Sequence, residues 1–278
     1  MFRLGLNRLT PRAASSGFPL FPTFPSMKPA KDNFSVQSEG YSQFRPSYPQ
    51  ALYDEIFSHV ATFGRCWDCA TGNGQMAMVL AERFEAVEAT DISPQQLDKA
   101  ILHPKINYSI SRAEVTHFEA DSFELITVGQ AVHWFDHDAF NEEVKRVSKN
   151  GGLIAVVGYG LMFVNDEFDR HLMQFYDGTI GKYWDPERKH IDSHYTSIPF
   201  PFEAIAPKKE HSIDVRWNLA QLAGYLSTWS SVNRFIKQNG FDPVAPFIQE
   251  LRETGTWTDD QKMDVHFPLF VKLGRIVK

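Results

Sequence analysis

The sequence predicts an α/β fold built on a doubly wound, mainly parallel sheet, and three observations predict it. Short apolar strands alternate with amphipathic helical stretches from about residue 50 to residue 158. The crossings between them are marked by glycine. A glycine turn after the first strand, Thr71-Gly72-Asn73-Gly74, is followed one strand later by an acid, Asp91. Strand–helix alternation of this kind places helices on both faces of a parallel sheet.

Taken in order, Leu52, Ile56, Phe57 and Val60 recur at helical spacing behind Pro49 and predict a helix over 50–61. A strand follows near 65–70, then a helix over 74–84 and a strand over 86–90. Ser93-Pro94 opens a helix over 94–101, and strands are expected at 106–110 and 123–129. A helix over 138–148 ends in Lys145, Arg146 and Lys149, cations suited to the negative end of its dipole. Asn150-Gly151-Gly152 stops it, and a strand at 153–158 follows. The pattern then changes: 160–208 is aromatic and broken by prolines, with one helix around 167–176, and reads as an inserted cap. Regular structure resumes with a strand at 209–217, helices near 218–226, 230–239 and 243–253, and a last strand around 264–273.

Composition narrows the partners. With 28 basic against 34 acidic residues the net charge is −6, so no broad phosphate-binding surface is advertised and nucleic acid is not the expected partner. A small molecule is. No apolar run approaches the roughly 18 residues of a membrane span. The first 31 residues carry arginine, lysine and proline with no acid. They read either as a leader outside the fold or as a mitochondrial targeting segment, leaving 32–278 as one domain, expected in the cytoplasm in the absence of targeting. Cys66 and Cys69 form a C-x-x-C, but an offset of three puts them on opposite faces of a strand and no second pair completes a zinc site. His133 and His137 have the i, i+4 spacing of a metalloprotease pair, yet position 134 holds Trp where that motif needs Glu. No metal is expected.

The chemistry is concentrated at Asp68-Cys69-Ala70-Thr71-Gly72-Asn73-Gly74 and Asp91, seventeen residues beyond Gly74. Small residues let the backbone approach a ligand, and an acid at the end of the next strand can take the two hydroxyls of a ribose. With these residues in place, the chain resembles the class I S-adenosylmethionine-dependent methyltransferases, whose first motif reads Asp-x-x-x-Gly-x-Gly. Tyr41-Ser42-Gln43-Phe44-Arg45-Pro46, the run from Gln130 through His133-Trp134-Phe135 to Asp136, and Phe267-Pro268-Leu269 are similar to the trans-aconitate methyltransferase-like small-molecule group (methyltransferase type 11). The resemblance covers roughly 33–278 and implies a Rossmann-like seven-stranded sheet ending in an antiparallel pair.

It also implies roles. Asp68, Gly72 and Gly74 would surround the methionine part of S-adenosyl-L-methionine, and Asp91 would hold the ribose. Ile92, Ala113 and Glu114 would meet the adenine, and Gln130 would face the sulfonium. Tyr41 and Arg45 would close over the cofactor from the N-terminal side. His133, Trp134 and Trp229 are the expected acceptor contacts, with His133 as base if the acceptor is a hydroxyl or amine. A carboxylate acceptor needs none, and Arg45, Arg216 and Arg234 are candidate cationic partners for it. Two other readings fit the glycine turn and its acid: a nicotinamide-dependent oxidoreductase, since Gly72-x-Gly74-x-x-Ala77 meets a relaxed dinucleotide fingerprint, and a cofactor-binding module without turnover.

Overall fold

The computed structural model describes residues 44–278. Five parallel strands form the body of the sheet: β1 Arg65–Cys69, β2 Ala86–Asp91, β3 Ile106–Ile110, β4 Phe123–Gly129 and β5 Ser148–Tyr159. Their order is β3-β2-β1-β4-β5, so the chain starts in the middle, winds outward to β3, and returns to build β4 and β5 on the other side. The reversal between β1 and β4 opens a crevice at their carboxyl ends, where ligands of such sheets bind. β1, β4 and β5 are covered on both faces, which explains runs such as Leu125-Ile126-Thr127-Val128 and Leu153-Ile154-Ala155-Val156-Val157 without polar alternation.

Around the sheet lie α1 Gln50–Ser58, α2 Gln75–Ala81, α3 Pro94–Leu97 and α4 His137–Val147. Cys66 packs in the core on one face with Leu52, Leu80 and Leu153, and Cys69 in the core on the other with Trp67, Val128 and Val144. The two thiols are therefore on opposite faces, as their spacing predicts. Helix α3 is four residues long, shorter than the predicted 94–101. Beyond it the chain tightens into i→i+3 turns because the Ile101 backbone is taken on both sides: its N–H donates to Asn73 and its carbonyl accepts from the Tyr108 hydroxyl.

The segment from 160 to 208 holds α5 Asp166–Met173, a π-helical turn at Gln174–Thr179, α6 Arg188–Asp192 and a short strand, β6 Glu203–Ile205. Strand β7 Ser212–Trp217, helices α7 Leu219–Ser227, α8 Ser230–Asn239 and α9 Val244–Glu253, and strand β8 Met263–Arg275 complete the described chain. α5 and the π turn share a third core with α7, α8 and α9, in which Phe168, Phe175, Leu222, Phe247 and Phe267 are buried.

The expected fold class holds, with one addition to the strand count. The sheet has eight strands instead of seven, because β8 is long enough to take partners in two stretches. Its C-terminal half runs antiparallel to β5 on one side and β6 on the other, while its N-terminal half pairs with β7. β6 is only three residues long, Glu203-Ala204-Ile205, and offers no alternation for sequence reading to detect. Glu55 of α1 anchors the chain ahead of β7, accepting from the Lys208 N–H and bonding His211 Nε2 at 2.7 Å.

β5 enters the sheet through an irregularity: Phe123 pairs with Ser148, but Leu125 pairs with Leu153. Gly152 sits in that bend, where a Cβ would meet the carbonyl oxygens of Lys149 at 2.9 Å and Phe123 at 3.2 Å. Backbone oxygens cannot swing aside, so Gly152→Ala is expected to destabilise the fold by about 1–3 kcal/mol, read as a lower midpoint in urea unfolding. An unchanged midpoint would show that the bend has room.

Candidate active site

The floor of the crevice is built on a buried carboxylate. Asp68, at 1% exposure, accepts hydrogen bonds from Thr71 Oγ1 at 2.5 Å and from Thr127 Oγ1 at 2.7 Å. It thereby fastens the glycine turn and β4 to the end of β1. Burial pushes its carboxyl up to about 6, against the opposing pull of the two threonine hydroxyls. Gly74 caps α2 in a left-handed conformation, φ 87°, with its missing side chain replaced by the Tyr108 hydroxyl packed against it. The turn can therefore lie flat against β3's tyrosine only with glycine at this position.

The first chamber opens above this floor and encloses about 770 Å³, including its mouth. Asp91 borders it, its carboxylate accepting from the Gly72 N–H and the Ser93 N–H, both at 2.9 Å. The acid is thus aimed by the glycine turn. Ile92, Ala113 and Phe135 supply apolar wall, and Gln96 and Ser111 polar rim. Glu114 also lines the chamber, but its oxygens are engaged, one by Arg112 Nε and the other by the Asp136 N–H, each at 3.0 Å. It ties the loop after β3 to the start of α4.

A second chamber, about 550 Å³ with its mouth, lies on the side of α6 and α8, and a third runs beneath the N-terminal approach to α1. Gln130 borders all three. Its backbone is left-handed, φ 54°, a conformation that costs a residue with a side chain about 1 kcal/mol or more and persists only where neighbours hold it. Here they do. The Gln130 amide donates to the Tyr159 carbonyl at 2.9 Å and accepts from the Tyr159 N–H at 2.8 Å, while the Gln130 N–H donates to Val157. The side chain clamps the ends of β4 and β5 together and leaves the backbone to shape the junction.

In the second chamber His133 is buried, with Nδ1 3.0 Å from the Tyr195 hydroxyl. Burial, reinforced by the Arg188 guanidinium, holds its imidazole well below the usual histidine range, so it is neutral near pH 7. Trp134 borders the first and second chambers alike. Arg45 donates to the Tyr159 hydroxyl at 3.2 Å and lies 5.4 Å over the Tyr225 ring. Trp184, Asp185, Arg188 and Trp229 complete the wall.

Of the sequence-predicted residues, the structure therefore brings Arg45, Asp68, Gly72, Asp91, Ile92, Ala113, Glu114, Gln130, His133, Trp134 and Trp229 to the borders of these neighbouring chambers. Gly74 stands behind the wall. Tyr41 lies outside the described residues. The candidate cations Arg216 and Arg234 are elsewhere: Arg216 pairs with Asp264 at an exposed site, and Arg234 is drawn to Asp185 at 2.5 Å. Arg188 was not legible, since its segment carries no recognisable pattern, and Trp184 stood out only as one of several aromatic residues of the cap. Gln96 and Ser111 had a weak signal, each lying within five residues of a strand's carboxyl end.

Comparison with known proteins agrees with this architecture. Residues 67–156 match a family model described as a methyltransferase domain. A protein of Dictyostelium discoideum named as a methyltransferase is 36% identical over 262 residues, 91% of this chain and 99% of its own. A structure from Anaeromyxobacter dehalogenans, named as a type II methyltransferase, superposes with a TM-score of 0.77 at 36% identity, covering 84% of this chain and 99% of that one.

Because the Asp68 carboxyl is raised from about 4 to about 6 on folding, its ionisation works against the fold: the stability it confers is full below the unfolded value and is lost as pH rises through about 6. Comparing urea unfolding of the wild type with Asp68→Asn isolates this term. The stability difference, wild type minus variant, should fall by up to about 3 kcal/mol between pH 4 and 6.5. A pH-independent difference would mean that the carboxyl titrates normally.

Proposed function

The chain belongs to the S-adenosylmethionine-dependent methyltransferases, and from that membership we propose that it methylates a carboxylate or hydroxyl oxygen of a small organic acceptor bound in the second chamber. The observation that carries this reading is the adjacency of the two chambers, which have Gln130 and Trp134 as lining residues in common. A donor held in one and an acceptor in the other would meet at that shared wall. Membership in this family favours methyl transfer over the nicotinamide-dependent reading.

The first chamber fits a nucleoside donor. Its Ile92 and Ala113 wall suits an adenine, and Asp91 stands where ribose hydroxyls can donate to a carboxylate. Gly72 and the turn fastened by Asp68 would let the methionine part lie close to the backbone. Arg45, which borders the third chamber as well, offers a cation to its carboxylate end. When bound, S-adenosylmethionine supplies a methyl group on a sulfonium centre that leaves without help from an acid. The protein's task is then to orient the acceptor oxygen in line and keep water out, which a wall of Trp134, Trp184, Tyr225 and Trp229 does.

Of the two oxygen classes, the carboxylate is better supported. An ionised carboxylate has no proton to lose, and His133, kept neutral but weakly basic by burial and nearby guanidinium, is a poor base for a hydroxyl. The Arg45 and Arg188 side chains in the same wall would match a carboxylate and oppose an amine.

Two measurements test the reading. Asp91→Ala should weaken S-adenosylhomocysteine binding by about 1.5–3 kcal/mol in calorimetry, through loss of charge-assisted bonds to ribose, and unchanged affinity would remove Asp91 from the donor site. In an assay of labelled methyl transfer to a panel of small acids and alcohols, His133→Asn should lose less than about tenfold in kcat on a carboxylate acceptor. A loss of roughly 10²–10⁴ would assign His133 as general base and move the acceptor to a hydroxyl.

A further inference from the structure

The second chamber contains an arginine held on one edge only. Arg188 lies on α6 with its side chain 14% exposed. Its Nε donates to the Tyr176 hydroxyl at 2.7 Å and to Asp192 Oδ1 at 3.1 Å, and the Tyr176 hydroxyl itself donates to Asp192 at 2.8 Å. The guanidinium lies 4.5 Å over the Trp184 ring and 5.2 Å from that of Tyr176. Its two terminal nitrogens make no hydrogen bond among the described residues, although the residue lines the chamber. A guanidinium taken largely out of water and fixed in orientation, with its outer fork unbonded, is matched to a planar anion that accepts two parallel bonds.

What fixes it is unusual backbone. Tyr176 lies in the π-helical turn Gln174–Thr179, an irregularity that shifts the residues following α5 relative to a regular helix. Tyr176 and Trp229 meet edge to face at 5.9 Å, and Trp184 packs on Trp229 at 5.4 Å. The Trp184 indole N–H is buried without a hydrogen-bond partner among the described residues, a second unsatisfied donor there. Two acids nearby are already engaged: Asp185 is paired with Arg234 and Asp192 takes the Nε edge. Selectivity would come from directed donors more than from net charge.

We infer that Arg188 is the specificity-determining residue of this chamber, its terminal nitrogens holding a carboxylate of the acceptor while Trp184 and Trp229 contact a flat apolar body. The inference rests on the second chamber being the acceptor site and adds the residue that selects the acceptor and the shape it selects. Tyr176 is a positioning residue, acting through Arg188.

The test is calorimetric titration of the full chain, first with S-adenosylhomocysteine and then, at saturation, with benzoate, cinnamate and cyclohexanecarboxylate and the amide of each. The flat acids should bind at least tenfold tighter than their amides and than the saturated-ring acid. Arg188→Ala and Arg188→Gln should lose at least roughly 30-fold in affinity for the acids. Both should keep S-adenosylhomocysteine affinity within about twofold and bind the amides as the wild type does, which a collapsed chamber would not allow. Arg188→Lys, which lacks the fork, should rescue only partly, and Tyr176→Phe should cost the acids about three- to tenfold. Equal binding of acids and amides, acid binding indifferent to Arg188, or binding of none of the acids overturns the inference. Absence of S-adenosylhomocysteine binding to the wild type overturns instead the functional reading beneath it.

Discussion

The arrangement depends on one buried carboxylate at the point where the sheet reverses direction. β1 and β4 must be neighbours through their length and yet give up their carboxyl ends to a crevice between the loops that leave them. Asp68 reconciles these demands. One oxygen takes the Thr127 hydroxyl and keeps β4 against β1, while the other takes Thr71 and bends the glycine turn back over the strand. The same turn presents the Gly72 N–H that orients Asp91. A side chain without two acceptor oxygens could not take both hydroxyls, and a solvated acid could not hold them there. The raised pKa of Asp68 is the energetic trace of that burial.

A second clamp governs the junction of the chambers. Gln130 turns the chain through a left-handed residue at the end of β4 and spends its side-chain amide on both backbone groups of Tyr159. The Tyr159 hydroxyl in turn receives Arg45, so the end of β5 is coupled to the N-terminal approach. Through these few bonds the parallel half of the sheet sets the position of residues on both sides of the cleft. The first chamber is consequently formed by strand ends and the turns that follow them. The second is formed by helices and loops brought from α6 and α8.

That difference of origin explains what could be read in advance. The alternation of elements, the glycine turn and the acid at Asp91 were legible because each is a local pattern and because strand ends in a parallel sheet converge on one line. The run from Gln130 to Asp136 was legible for the same reason. Element boundaries shifted where tertiary bonds competed, as at Ile101, whose backbone is claimed by Asn73 and Tyr108 and ends α3 early. β6 went unseen because three residues carry no period. Aromatic residues of 160–208 were an ambiguous signal: Phe168, Phe175 and Tyr183 are core, Phe163 is exposed, and Trp184 borders the second chamber.

The sequence by itself determined the α/β class, the methyltransferase resemblance and the pairing of the glycine turn with Asp91, since residues at strand ends carry all three. The tertiary structure decided which cations line the second chamber. Arg216 and Arg234 are spent on Asp264 and Asp185, whereas Arg188, unremarkable in sequence, is turned into the chamber by Tyr176 and Asp192. Side-chain aim depends on hydrogen-bond partners contributed by other elements, here a π turn and a neighbouring helix. No local pattern encodes it, and only the packing of 160–208 against α7, α8 and α9 fixes where such a side chain points.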